Sequence, residues 1–213
     1  MITRSSSSKL KATLDQKIPP KEESTISELP PIIFSGYINY VNDFNECAMI
    51  CDNLITEIEK YDKIVPIGFD LEWPFSFQTG SAAFVVLLSH PKVRLVGVNI
   101  KNDIWKLGRD FKEFPACKVV ENNCFDCGKF ANTVLNRSCR WSLEKLTEYL
   151  LKKKISKDPK VRKSKWHMHP LNDEQKLYAA TDAYVSWLLH VTIQERANLK
   201  DNELKETQNI NIS

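Results

Sequence analysis

Apolar and polar positions divide the chain into a tail and a patterned body. Residues 1–31 are rich in Ser, Lys, Glu and Pro and close on Pro30-Pro31, so this stretch reads as a flexible N-terminal tail. Apolar Ile32, Ile33 and Phe34 then open the ordered domain with a first edge strand over 32–38. Asn42 or Asp43 caps a helix reaching Lys60, because Phe44, Cys47, Ile50, Leu54, Ile55 and Ile58 recur at helical spacing. Ile64 to Pro74 reads as a strand ended by proline. Within it Asp70 and Glu72 stand two apart, which turns both carboxylates to one face while Phe69, Leu71 and Trp73 take the other.

Ala82 to Leu88 is continuously apolar and fits a short buried helix, with a strand ending before Ser89 as the other reading. Val93 to Ile100 is a strand, and Asn99, Lys101 and Asn102 lead from it into a helix containing Asp103, Ile104, Trp105, Leu107 and Phe111. Asp103 thus falls at a strand-to-helix junction, a frequent site position in α/β layers, and Trp105 packs its helix. Phe114 to Val120 reads as a strand or extended segment, Asp126 to Leu135 as a helix, and Ser142 to about Leu151 as an amphipathic helix. Asn172, with Gln175 three residues on, forms a capping box that opens the longest helix, whose apolar spacing continues through Leu189 and Ile193. Past Ala197 the chain turns polar and frays, leaving an ordered domain over 32–197 and a C-terminal tail over 198–213.

The chain has 213 residues and 24.6 kDa, enough for one domain with loose ends, and its 42% hydrophobic and 27% charged content excludes a wholly disordered protein. No apolar run is long enough to span a bilayer and the first residues lack a signal-peptide core, so a non-membrane, intracellular protein is expected. The six unevenly placed cysteines read as reduced thiols; Cys124 and Cys127 have metal-like spacing but no second close pair, and buried small hydrophobes are the plainer reading. A net charge of +3 says little by itself, but Lys152, Lys153, Lys154, Lys157, Lys160, Arg162, Lys163 and Lys165 crowd one segment opposed only by Asp158. Such a run can track phosphates, with Lys160, Arg162, Lys163 and Lys165 as candidate nucleic-acid contacts; a solvated loop is the alternative. Trp166 either stacks on a terminal base or packs at the core edge, and Trp73 and Phe75 either wedge against a terminal nucleotide or join the core. His167 and His169 are candidate phosphate donors.

Tyr178 and Asp182 lie four apart, one turn along one face of the longest helix. A carboxylate on a helix with a buried flank needs a neutralising partner, either Arg or Lys or a metal ion. Taken together, Asp70, Glu72, Asp103 and Asp182 form an all-oxygen ligand set suited to Mg²⁺, and a cation is the physical reason to gather carboxylates that repel one another. In a two-metal site the ions stand about 4 Å apart and serve the attacking and leaving oxygens of an in-line displacement. Tyr178, with an ordinary pKa near 10, fits positioning better than general base catalysis.

Spacing does not show that these residues meet. The segments Ile67–Trp73, Gly97–Leu107 and Asp173–Tyr184, with Trp141-Ser142-Leu143-Glu144-Lys145-Leu146, resemble the exonuclease of Werner syndrome proteins and its stand-alone animal relatives, within the ribonuclease D-like group. The resemblance covers most of residues 64–194. It implies an α/β, ribonuclease H-like exonuclease fold with a mixed β-sheet and flanking helices. In that family three aspartates and one glutamate bind two Mg²⁺ ions, for which Mn²⁺ substitutes, and a tyrosine orients the water; the matching residues here are Asp70, Glu72, Asp103, Asp182 and Tyr178. It further implies 3'-to-5' hydrolysis of DNA with an accessible 3' end, RNA being a second candidate, with release of nucleoside 5'-monophosphates. A nuclear location, a role in DNA replication or repair, and partners such as a RecQ-type helicase or replication proteins are implied as well.

The chain departs from the family pattern between its first two motifs. The family has two further strands there, whereas twenty residues separate Glu72 from Val93, so the fold is expected to be abridged by one β-hairpin. A displacement of about 1 Å between acids can impair catalysis, and a lost hairpin exposes a sheet edge. The alternative reading is therefore a weakly active or inactive nucleic-acid-binding module, or a protein scaffold.

Overall fold

A computed structural model of the chain describes residues 29–72 and 81–210. Local chemistry sets most element boundaries. The Asp43 carboxylate accepts the N–H groups of Asn45 at 2.9 Å and Glu46 at 3.0 Å, two donors that a helix start leaves unpaired, and so begins α1 (Phe44–Glu59). Strands β1 (Val65–Gly68), β2 (Val93–Gly97) and β3 (Cys124–Asp126) form a sheet of order β1-β2-β3. Ile67 lies opposite Leu95, and Leu95 opposite Cys124, in parallel register. The connections are helical, as parallel pairing requires: α2 (Ser81–Leu88) joins β1 to β2, and α3 (Ile100–Asp110) with α4 (Ala116–Asn122) joins β2 to β3. After β3 come α5 (Cys127–Leu135), α6 (Leu143–Leu151), the single turn α7 (Pro159–Arg162) and the long α8 (Asp173–Ile210).

Helices cover both faces of the sheet. Val65, Ile67, Val93 and Leu95 face a core built from α1 to α4, including Ile58, Leu88, Ile104 and Val119. Val96 faces the other core, with Ala131, Leu146, Val185, Leu189 and Ile193 from α5, α6 and α8. This is the expected α/β architecture with flanking helices, although the pairing among the described strands is parallel throughout where a mixed sheet was expected. Among the described residues no helix is long and apolar enough to cross a membrane.

Several expectations change. The strand over 32–38 reduces to one bridge, Pro31 with Lys154, held by Ile32 N–H on Lys154 O and Lys154 N–H on Pro30 O, both at 2.9 Å, and beyond it Phe34 N–H turns to the Thr181 hydroxyl at 3.2 Å. Phe114–Val120 is largely helix: Ala116, Val119 and Val120 sit on one helical face and are buried, and Gly108 leaves room for the Ala116 methyl. That packing outweighs the strand propensity of two valines. β3 was not anticipated. α8 runs on past Ala197 to Ile210, with Leu199 and Leu204 exposed, where a fraying end was expected. Of the two readings of residues 82–88 the helix is realised.

Candidate active site

The first two acids follow directly from strand alternation. Beyond Gly68 the chain stays tied to the sheet through Phe69 N–H and Val96 O at 3.0 Å, and Phe69 and Leu71 pack into the core of α1 to α4. Asp70 and Glu72 therefore turn to the opposite side, the side of α8. They lie just past the C-terminal end of β1 instead of within it, at the carboxyl edge where α/β sheets place their ligands.

α8 brings the third. Its start is the anticipated capping box, with Gln175 N–H on Asn172 Oδ1 at 2.8 Å and Asn172 N–H on Gln175 Oε1 at 3.0 Å. Two turns on, α8 meets β1 backbone to backbone: a Cβ on Gly68 would collide with the Ala183 carbonyl and come within 3.0 Å of Trp187 Cβ. Only glycine permits that approach, and it sets Asp182 beside Asp70. One carboxylate oxygen each from Asp70, Glu72 and Asp182 lies within 4.8 Å of the other two. Asp103, in the first turn of α3, stands outside this trio but near enough for the Asp70 charge to act on it. The structure thus brings three of the four expected acids together and leaves the fourth adjacent.

Charge crowding marks the cluster. Burial, then Asp70 and Asp182, push Glu72 up to about 7. Burial and Asp70 push Asp103 to about 7 and Asp182 to about 6. Asp70 is raised by burial, against the opposing pull of the Leu71 N–H and Lys157. Two carboxylates 4.8 Å apart repel by on the order of 3 kcal/mol at an effective dielectric of 20. Oxygen donors without thiol or imidazole suit a hard divalent cation, which would relieve that repulsion. Among the described residues this trio is the one group of such side chains with metal-ligand spacing.

Tyr178 is 8% exposed and lies one helical turn from Asp182, near enough for each to act on the other's proton equilibrium. Burial and the charges of Asp182 and Glu72 push its phenol further above the usual range, so it stays protonated. The charges of two basic residues reach the acids. Lys157 acts on Asp70, Glu72 and Asp182, and Arg162 on Glu72, Asp182 and Tyr178. Arg162 was among the expected contacts; Lys157 was visible only as one lysine in a basic run. Lys160, Lys163 and Lys165 are exposed on the same segment. Trp166 is 6% exposed with its ring 6.0 Å from that of Tyr178, so it is the core-edge tryptophan and not an open stacking platform. Trp73 and Phe75 lie outside the described residues. Trp105 is 42% exposed, more open than a packing role suggests. His167 and His169 are exposed, the latter 3.0 Å from the Tyr40 hydroxyl. Among the described residues every cysteine is free, and Cys127 is buried with its thiol toward Ser186 O.

Residues 74–198 match the family described as 3'-5' exonuclease. A "3'-5' exonuclease" of Drosophila melanogaster is 39% identical over 219 residues, taking in 88% of this chain and 62% of that protein. The chain belongs to the 3'-5' exonuclease family. A Drosophila mojavensis member is 37% identical over 237 residues, covering 96% of this exonuclease-family chain and 70% of its own length. The chain thus spans less than two thirds of the first relative. An alignment of 219 positions that takes in only 88% of 213 residues also means that the relative has residues opposite gaps in this family member. A solved exonuclease domain, that of EXD2 soaked in Mg and dGMP, is similar at 23% identity and a TM-score of 0.38, covering 79% of this chain and 94% of that one.

Proposed function

We propose that this chain is a metal-dependent 3'-5' exonuclease of the Werner type, acting on DNA with an accessible 3' end and releasing nucleoside 5'-monophosphates. The observation that carries this reading is the meeting of Asp70, Glu72 and Asp182 within 4.8 Å, beside Asp103 and Tyr178, in a chain of this family. Asp70, Glu72, Asp103 and Asp182 would hold Mg²⁺, two ions being the number four acids suit, with Mn²⁺ as a substitute. When bound, the ions supply Lewis-acid stabilisation and an acidified water.

The protein's own groups do the rest. Tyr178, kept protonated beside Asp182 and Glu72, has hydroxyl lone pairs that accept from the attacking water, fixing the line of attack. It cannot serve as the base, since its environment raises an already high pKa. Lys157 and Arg162 hold the scissile phosphate once the acids have cation partners, and Lys160, Lys163 and Lys165 guide the strand toward them. Water oxygen bonds to phosphorus, the bond to the 3' oxygen breaks, and that oxygen takes a proton to leave a shortened 3'-hydroxyl end. Nuclear action in DNA replication or repair, beside a helicase or replication proteins, belongs to the same proposal.

A second reading rests on the gaps opposite the relatives: β1 is an edge strand among the described residues, where an absent hairpin would lie. In that case the chain binds nucleic acid, or a protein, with little cleavage. A 5'-labelled duplex with a recessed 3' end separates the two. The exonuclease reading expects a metal-dependent ladder that EDTA and Asp182→Ala abolish. Binding without a ladder from monodisperse wild-type protein selects the second.

A further inference from the structure

The basic segment reaches the acids through a short, isolated turn, and one indole holds its end. α7 has four residues, a single turn held by Arg162 N–H on Asp158 O and Lys163 N–H on Pro159 O, both at 3.0 Å, and so has few of the internal hydrogen bonds that stabilise longer helices. Asp158 secures the front, accepting Lys160 N–H at 2.8 Å. At the back the Trp166 Nε1–H donates to the carbonyl oxygen of Arg162 at 3.2 Å. The same indole packs on Tyr178 at a 57° tilt. Gln175, 5% exposed, adds a second tie from α8 by donating to Ser164 Oγ at 2.8 Å. Trp166 thus touches both the backbone of Arg162, on the turn that packs against α8, and the ring of the tyrosine beside the acids.

We infer that Trp166 is a positioning residue: its indole fixes Arg162 against the Asp182–Tyr178 face, so that the guanidinium is aimed at a substrate phosphate before substrate arrives. This rests on the exonuclease reading for its substrate but makes a separate claim, that the contribution of Trp166 runs through Arg162. A tryptophan that merely filled the core would weaken all functions alike. One acting through Arg162 becomes silent when Arg162 is gone.

A double-mutant cycle on the full chain tests this, with Trp166→Phe, Arg162→Ala and their combination assayed on the recessed duplex in Mg²⁺, and DNA affinity measured in parallel by anisotropy. Phenylalanine keeps a ring against Tyr178 and removes the Nε1–H donor. Trp166→Phe is expected to lower kcat/KM about tenfold, mainly through KM, the scale of one lost hydrogen bond. Arg162→Ala is expected to lower it about thirtyfold, the scale of a charge-assisted one. The double variant should match Arg162→Ala alone. Losses that multiply, or a Trp166→Phe effect confined to kcat, overturn the inference. If Trp166→Phe does not fold, Trp166→Tyr takes its place in the cycle, with the same two outcomes. Wild-type protein that binds without cutting ends the exonuclease reading and leaves the affinity cycle to decide this one. Protein that neither cuts nor binds overturns both.

Discussion

Replacing Glu72 by Gln should stabilise the cation-free protein while removing its chemistry. Burial and the neighbouring Asp70 and Asp182 raise this carboxyl from 4.5 to about 7. Between those two values the folded chain holds a proton that the unfolded chain has released. The associated stability is therefore present at low pH and is lost as pH rises through about 7. Held ionised at about pH 8, such a group costs ~3 kcal/mol, which solvent reaching a half-buried carboxylate reduces to ~2 kcal/mol. For a domain of this size the Tm changes by ~2–4 °C per kcal/mol, so the variant should melt ~4–8 °C higher than wild type. Thermal unfolding followed by circular dichroism in EDTA at about pH 8 measures the gain, and the two curves should converge near pH 5. Adding Mg²⁺ should then raise the wild type by more than the variant, because a ligand that binds the folded state stabilises it by mass action. Equal melting at the higher pH in EDTA would refute the reasoning, since it would mean that Glu72 carries no electrostatic penalty in the fold.

Tyr178→Phe removes the hydroxyl that aims the water and should lower kcat on the recessed duplex about 10–100-fold with little change in KM; a large KM effect would assign the tyrosine to binding instead. Gly68→Ala drives a methyl into the Ala183 carbonyl, which should cost about 1–3 kcal/mol in denaturant unfolding and part the acids, so activity falls further than stability. Asn172→Ala breaks the capping box of α8 and should cost about 1 kcal/mol by the same unfolding assay while leaving the pH dependence of cleavage unchanged. Raising salt should increase KM steeply through the Lys160 to Lys165 segment, and a flat salt response would remove that segment from the substrate path.

What could be read in the sequence was whatever depends on neighbours along the chain. Asp43 and Asn172 were legible as caps because an N-cap is a local hydrogen-bond problem, and each side chain accepts a backbone N–H of the first turn. The turning of Asp70 and Glu72 away from Phe69 and Leu71 was legible for the same reason, since strand alternation is local. β3 was not. Its three residues follow polar Glu121, Asn122 and Asn123, and what holds them is distant: Asn123 is 2% exposed and donates to His90 O and Val93 O. The helix over Ala116–Asn122 was misread because Val119 and Val120 favour strands by themselves, and only the face offered by α3 decides otherwise. Lys157 was indistinguishable from its neighbours for a similar reason. Which lysine of eight basic residues faces the acids depends on how the turn after Ile155, itself 2% exposed, is seated.

The glycine contact between β1 and α8 also has a consequence in time. Asp70 and Glu72 leave the ribosome more than a hundred residues before Asp182, and the cluster cannot exist until α8 has been made and laid against Gly68. A partly synthesised chain that stops before α8 has Asp70 and Glu72 on an unfinished edge, with Asp103 nearby, and lacks the Asp182 that completes the close trio. Whatever chemistry this cluster performs is thereby withheld from incomplete copies of the protein. Long-range docking, although slow to form because the closing loop is long, here makes the site conditional on a finished fold.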